Sequence, residues 1–287
     1  MIRGKRSAQR TAPVRVAPVS LPAVPTIESD GAKLAVEVIG EGEPVTVLGH
    51  GLTGSRRDLM VFTPFLPGTK VLFDFRGHGE SEGPGPGSYS MNHFAADVEA
   101  VADAFEATCA GGWSLGAGAI LRLLTRRPDR FERLVFLLPA RVEDSSQVRF
   151  DLLELADLLE TRSVEETADA VLAREDARGA YDEFPSSREI RRASLLGLNP
   201  ASIPHAIREC LDDPPVGHAE QLARVRTPAL VIGQEGDPLH EAQVARELAE
   251  ALPNAELVIF PDPHALIRDI PMVVQKVASF LFLDGPR

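Results

Sequence analysis

The sequence predicts an α/β fold: a mostly parallel central sheet flanked by helices, interrupted by a helical insertion. Three observations carry that expectation. Short, near-continuous apolar runs recur at 45–48, 71–75, 134–138, 229–232 and 257–260, as strands buried on both faces require. Amphipathic stretches of helical length lie between them, at 91–107, 117–126 and 241–251. One interval of about 90 residues, between the runs ending at Leu138 and starting at Ala229, breaks the alternation.

Bulk composition narrows the class further. A chain of 287 residues that is 44% hydrophobic has ample material for one large core, or for a core with an insertion. No apolar run approaches the roughly 20 residues of a membrane helix. The net charge of −12 is uneven: residues 1–27 hold Arg3, Lys5, Arg6, Arg10 and Arg15 and no acid, leaving −17 on the rest. So acidic a body repels nucleic acid phosphates, which argues against a nucleic-acid partner. The basic leader 1–27 carries Pro13, Pro18, Pro22 and Pro25 and no continuous apolar segment. It reads as a flexible Pro-rich leader and not as a secretory signal. Cys109 and Cys210 are far apart without C-x-x-C partners, which fits a reducing cytoplasm and argues against a disulfide framework or a cysteine metal site.

Along the chain, IESDGAKLAVEVIG places a turn at Ser29-Asp30-Gly31 between extended segments, an opening hairpin. The apolar runs and amphipathic stretches then alternate as strand and helix. The long interval far exceeds the dozen or so residues that a parallel crossover needs. It contains RFDLLELADLLE, VEETADAVLARE, SREIRRASLLGL and PASIPHAIRECL, each helical in pattern, punctuated by Pro185, Pro200, Pro204, Pro214 and Pro215.

Two stretches match G-x-S-x-G: GGWSLGAG around Ser114 and GESEG around Ser81. A nucleophilic serine of this kind needs a buried strand ending in a very sharp turn and a helix starting at once. GESEG fails, because PGPGS follows it and Glu80 and Glu82 disfavour an alkoxide. GGWSLGAG passes, because AGAILRLLTRRP is a plausible helix ended by Pro128 and small residues at Gly112, Gly116, Ala117 and Gly118 relieve the crowding. A serine hydroxyl also needs a base, usually histidine, oriented by a carboxylate. Asp237 follows the penultimate strand candidate and His264 follows the last. The order Ser114, Asp237, His264 is that of the α/β-hydrolase fold. Glu235 is an alternative acid, and Asp262 reads as a turn residue. His50 and His78 read as structural, His240 as the start of a surface helix, and Cys109 as a buried strand residue.

From about residue 28 onward the sequence resembles the α/β-hydrolase family. VLGHGLTGS resembles that family's His-Gly loop after the third strand, and DFRGHGES its usually structural loop after the fourth. The resemblance implies an α/β-hydrolase core at 28–139 and 226–287 with a helical cap at 140–225. It implies acyl transfer: Ser114 attacks a carbonyl carbon, His264 takes the proton, Asp237 orients the imidazole, and the amides of Leu52 and Leu115 form the oxyanion hole. No metal and no organic cofactor is expected. With serine as nucleophile, dehalogenase and epoxide-hydrolase chemistries are disfavoured.

The expected substrate is a small, mainly apolar carboxylic ester or lactone. Trp113, Met60 and Phe62 are candidates to line its pocket, with Phe65 a further one, although packing is the commoner use of such residues. Leu152, Leu155, Leu195 and Leu198 are ordinary amphipathic core positions. The string GWSLG also resembles methyl esterases of the family that act on carrier-protein-bound acyl chains, and Arg188, Arg191 and Arg192 could meet an acidic carrier. A solvated helix face explains those arginines more simply. The same triad could serve thioester hydrolysis, carbon–carbon bond hydrolysis or cofactor-free perhydrolysis. A non-catalytic binding protein would need a broken triad or oxyanion loop, and neither is evident.

Overall fold

A computed structural model of the protein describes residues 24–141 and 146–282. Most of the leader expected at 1–27, and residues 142–145 of the insertion, lie outside the described residues. Eight strands form one sheet: β1 (Thr26–Ser29), β2 (Ala32–Ile39), β3 (Val45–Gly49), β4 (Thr69–Phe73), β5 (Cys109–Trp113), β6 (Arg133–Leu137), β7 (Ala229–Gln234) and β8 (Ala255–Phe260). Their spatial order is β1-β2-β4-β3-β5-β6-β7-β8. The β1–β2 and β2–β4 pairs are antiparallel, and every other pair is parallel. The opening hairpin turns through Asp30 and Gly31, both with positive φ, as the tight two-residue turns matched to strand twist require.

Each parallel crossover carries a helix or helical turns. On one face, α1 (Met91–Ala104) and α2 (Leu115–Arg126) bury Phe94, Val98, Ile120 and Leu124 against the sheet. Between β6 and β7 run α3 (Gln147–Thr161), α4 (Val164–Ala177), α5 (Ser187–Leu196) and α6 (Ile203–Leu211). After β7, α7 (Ala242–Ala251) packs on the α1 and α2 side through Ala245 and Leu248. The short α8 (Ala265–Arg268) leads into α9 (Ile270–Phe282), whose Val273, Val277 and Phe280 cover the opposite face. No helix among the described residues is long and apolar enough to cross a membrane.

The inserted helices have their own apolar cluster, including Leu155, Leu159, Leu172, Leu195, Leu198 and Ile207. They are fastened to the sheet layer by polar latches. On α6, the Glu209 carboxylate accepts the amides of Gly87 at 2.7 Å and Tyr89 at 2.8 Å. Just beyond it, Asp213 accepts the Met91 amide at 2.8 Å and pairs with Arg122 at 2.5 Å. Leu52 packs against both the main core and the inserted cluster, so the loop after β3 is sandwiched between them.

Candidate active site

Ser114 sits between the last residue of β5 and the first of α2, with φ 52° and ψ −106°. That region is disfavoured for any residue bearing a Cβ. The surrounding glycines explain how the turn closes. A Cβ on Gly112 would come within 2.3 Å of the Gly116 carbonyl carbon, and one on Gly116 within 2.3 Å of the Gly49 oxygen. The bare backbones let α2 fold back on β5 and abut β3. The Ser114 amide donates to Leu137 at 3.0 Å, and the Gly118 amide donates to the Ser114 carbonyl at 3.0 Å. Ser81 has a different fate. It is buried, its hydroxyl donates to the Asp74 carbonyl at 2.6 Å, and it accepts the Ala35 amide at 2.8 Å.

The His50-Gly51-Leu52 loop lies over the elbow: a Cβ on Gly51 would stand 3.7 Å from the Ser114 Cβ. Among the described residues, neither the Leu52 amide nor the Leu115 amide, the first of α2, has a hydrogen-bond acceptor. Two free N–H groups near a serine can receive an oxyanion. The loop is held from below by two buried histidines. His50 Nε2 accepts the Phe75 amide at 3.0 Å, so its Nδ1–H donates to the Gly51 carbonyl at 2.8 Å. Burial, aided by the nearby His78, holds the His50 imidazole well below its ordinary value, which keeps this one-donor, one-acceptor ring neutral. His78 Nε2 lies 2.6 Å from the Leu52 carbonyl, and burial lowers its pKa as well. A third brace is Asp74, fully buried, which takes the Arg56 amide at 2.7 Å, the Arg56 guanidinium, and the Glu80 amide at 2.9 Å. The loops after β3 and β4 are thereby locked together.

Asp237 follows β7 in a turn of its own making. Its Oδ1 accepts the amides of Leu239 at 2.9 Å and His240 at 3.0 Å, the side-chain-to-backbone pattern that aspartate favours in turns. Its Oδ2 accepts the Gln234 side-chain amide at 2.8 Å and lies 3.0 Å from His240 Nδ1. Burial pushes the carboxyl upward, but the His240 hydrogen bond and charge and the Gln234 contact outweigh it, leaving the group well below the usual carboxylate range. His264 lies just before α8, its amide donating to Asp262 at 3.0 Å. Its Nε2 is 3.7 Å from the Glu183 carboxylate, and its ring stacks on Phe184 with centroids 6.0 Å apart. Both partners belong to the α4–α5 connection. Among the described residues, the His264 ring hydrogen-bonds neither Asp237 nor Ser114.

The structure therefore sets Ser114 beside the His50-Gly51-Leu52 loop and the start of α2, and gives Asp237 a histidine other than the expected one. His240 does not start a surface helix. It is 9% exposed, and α7 begins after it, at Ala242. The Asp237-Pro238 pair, which favours turn initiation, is the sequence signal that could have returned His240 onto Asp237. No local signal marks Gln234, Glu183 or Phe184. Glu235 pairs instead with Arg246, and Asp262 with Arg268.

The candidate pocket residues lie as follows. Trp113 and Phe62 pack edge to face, with centroids 5.9 Å apart, and line a cavity of about 30 Å³ between the sheet and α9. Met60, two residues before Phe62, is half-buried, and Phe65 is exposed. The three arginines of α5 face acids on α4: Arg188 with Asp176 at 2.8 Å, Arg191 with Glu175 at 3.4 Å, and Arg192 with Asp169 at 3.7 Å.

Residues 44–268 match the model of the alpha/beta hydrolase fold. A pimeloyl-[acyl-carrier protein] methyl ester esterase from Chromobacterium violaceum is 30% identical over 244 residues, covering 79% of this chain and 89% of that protein. Among solved structures, a hydrolase from Pseudomonas aeruginosa is 26% identical with a TM-score of 0.75, covering 90% of this chain and 98% of the other. The enol-lactonase from Burkholderia xenovorans is 23% identical with the same TM-score of 0.75, covering 90% and 99%.

Proposed function

Because the chain belongs to the alpha/beta hydrolase fold family and is an enzyme of it, we propose that it is a serine hydrolase that cleaves a small, mainly apolar carboxylic ester or lactone through an acyl-enzyme. The observation that carries this reading is the backbone of Ser114: a residue with a Cβ held at φ 52°, ψ −106° between a strand and a helix, beside two amides without acceptors among the described residues. Strain of that kind persists where the surroundings over-determine it, which is common at active sites.

In the proposed reaction Ser114 Oγ attacks the carbonyl carbon, and His264 takes the hydroxyl proton. Asp237 orients the imidazole and stabilises its charged form. The amides of Leu52 and Leu115 bind the oxyanion, each donor contributing about 2.7–4 kcal/mol to transition-state stabilisation. His264 returns its proton to the leaving oxygen, and water then releases the acid by the same route. No metal or organic cofactor takes part. The inserted helices, 140–225, act as a cap on a core of 28–139 and 226–287, and a cytoplasmic setting suits the free Cys109 and Cys210.

The names of the esterase and lactonase relatives support an ester or lactone over a carbon–carbon bond. A carrier-bound acyl chain is favoured less, since Arg188, Arg191 and Arg192 already face acids of α4. The test is labelling by a fluorophosphonate together with a panel of p-nitrophenyl esters, enol lactones and acyl thioesters. The expected result is stoichiometric labelling at Ser114, abolished by Ser114→Ala, with ester or lactone turnover exceeding thioester turnover. Ester turnover that survives Ser114→Ala refutes the assignment.

A further inference from the structure

We propose that His240 is the resting partner of the Asp237 carboxylate, and that His264 takes its place there when the triad assembles. The proposal rests on the reading of Ser114, Asp237 and His264 as a triad.

Hydrogen-bond capacity sets the exchange. An ionised carboxylate offers about four acceptor positions. In Asp237 all four are filled without His264: two by the Leu239 and His240 amides, one by Gln234, one by the His240 ring. His264 can join only if one donor leaves. The two amides belong to the turn that Asp237 itself closes. Gln234 is buried at the end of β7, and its other side-chain atom, Oε1, faces the Leu266 amide at 3.4 Å. The His240 ring alone is held at one end. Its Nε2 is buried and has no hydrogen-bond partner among the described residues, so the ring loses one contact on leaving, where Gln234 would lose two.

The base is parked in turn. His264 rests against Glu183 and Phe184 of the α4–α5 connection. Acid and base thus each hold a temporary partner, and the exchange is balanced: His240 departs with its Nδ1 proton, and His264 brings an Nδ1–H to the same oxygen. Because the partner of His264 belongs to the inserted helices, movement of that connection over an entering substrate releases the base. His240 is in this sense a positioning residue, acting through Asp237.

The test uses the full-length protein with nitrogen-15 labelled histidine. An imidazole N–H bonded to a carboxylate gives a low-field proton signal. The resting His264→Ala protein should retain that signal, and the His264→Ala/His240→Ala protein should lose it. Fluorophosphonate labelling of Ser114 supplies the functional readout. Removing the competitor with His240→Leu should speed labelling, roughly tenfold if the competent form is about 10% populated. His240→Asn, which keeps a donor near the Nδ1 position, should label at the wild-type rate. Loss of the low-field signal in His264→Ala overturns the proposal, as does His240→Leu labelling no faster than wild type while remaining folded by circular dichroism. Failure of Ser114 to react in every variant, with the His240 signal intact, instead sinks the hydrolase reading and the displacement step with it.

Discussion

Replacing Ser114 separates the backbone's share of the site from its chemistry. Ser114→Ala removes the hydroxyl and keeps the Cβ, so the strain at φ 52°, ψ −106° stays. Ser114→Gly removes both. A non-glycine residue in so sparsely populated a region costs about 1–3 kcal/mol. Glycine gives back about 0.5–1 kcal/mol through the wider freedom of its unfolded chain. Ser114 is half-buried, and only the Cβ methyl separates the two variants. The difference leaves Ser114→Gly more stable than Ser114→Ala by about 1 kcal/mol, which in a protein of this size raises Tm by about 2–4 °C. Differential scanning calorimetry of wild type, Ser114→Ala and Ser114→Gly measures it directly. Both variants should be inert to fluorophosphonate, and Ser114→Gly should melt highest. If it melts at or below Ser114→Ala, the turn is not strained and the argument from backbone to nucleophile fails.

Two further outcomes follow from the same geometry. In Gly116→Ala the new methyl meets the Gly49 carbonyl backbone at 2.3 Å, which no rotamer can relieve. Overpacking of this order costs about 1–3 kcal/mol, so thermal melting should drop by several degrees and activity should fall with it, as β3 and the His50-Gly51-Leu52 loop move off the elbow; an unchanged melt counts against the close packing. Asp237, held below its unfolded value with His240 contributing, stabilises the fold fully above about pH 4, and that share is lost as acid titrates the folded carboxyl below it. Asp237→Asn has no such share to lose, so its Tm should fall less steeply than the wild type's between about pH 4 and pH 2; parallel Tm profiles would show that the carboxylate is not so held.

What sequence by itself determined here is the part that local chemistry writes. The strand and helix alternation follows from the period of apolar residues, and the opening hairpin from Asp30-Gly31. That Ser114, and not Ser81, sits at a strand-to-helix turn follows from what comes next in the chain, a helix in one case and Pro84 and Pro86 in the other. Even β5, thin in apolar signal, is thin for a reason the turn supplies: Gly111 and Gly112 stand where side chains have no room. Tertiary structure decided the rest. Whether Trp113 faces a substrate or Phe62 depends on which side of the sheet its strand position presents and on what α9 and the loop after β3 bring there. Whether the arginines of α5 face a partner or Asp176, Glu175 and Asp169 depends on how α4 and α5 meet. That Asp237 bonds His240, three positions away, and not His264, 27 positions away, depends on how the segment after β7 and the loop before α8 pack. Periodicity and turn propensity act over a few residues, whereas the four acceptor positions of one buried carboxylate are allotted only when distant segments have packed around it.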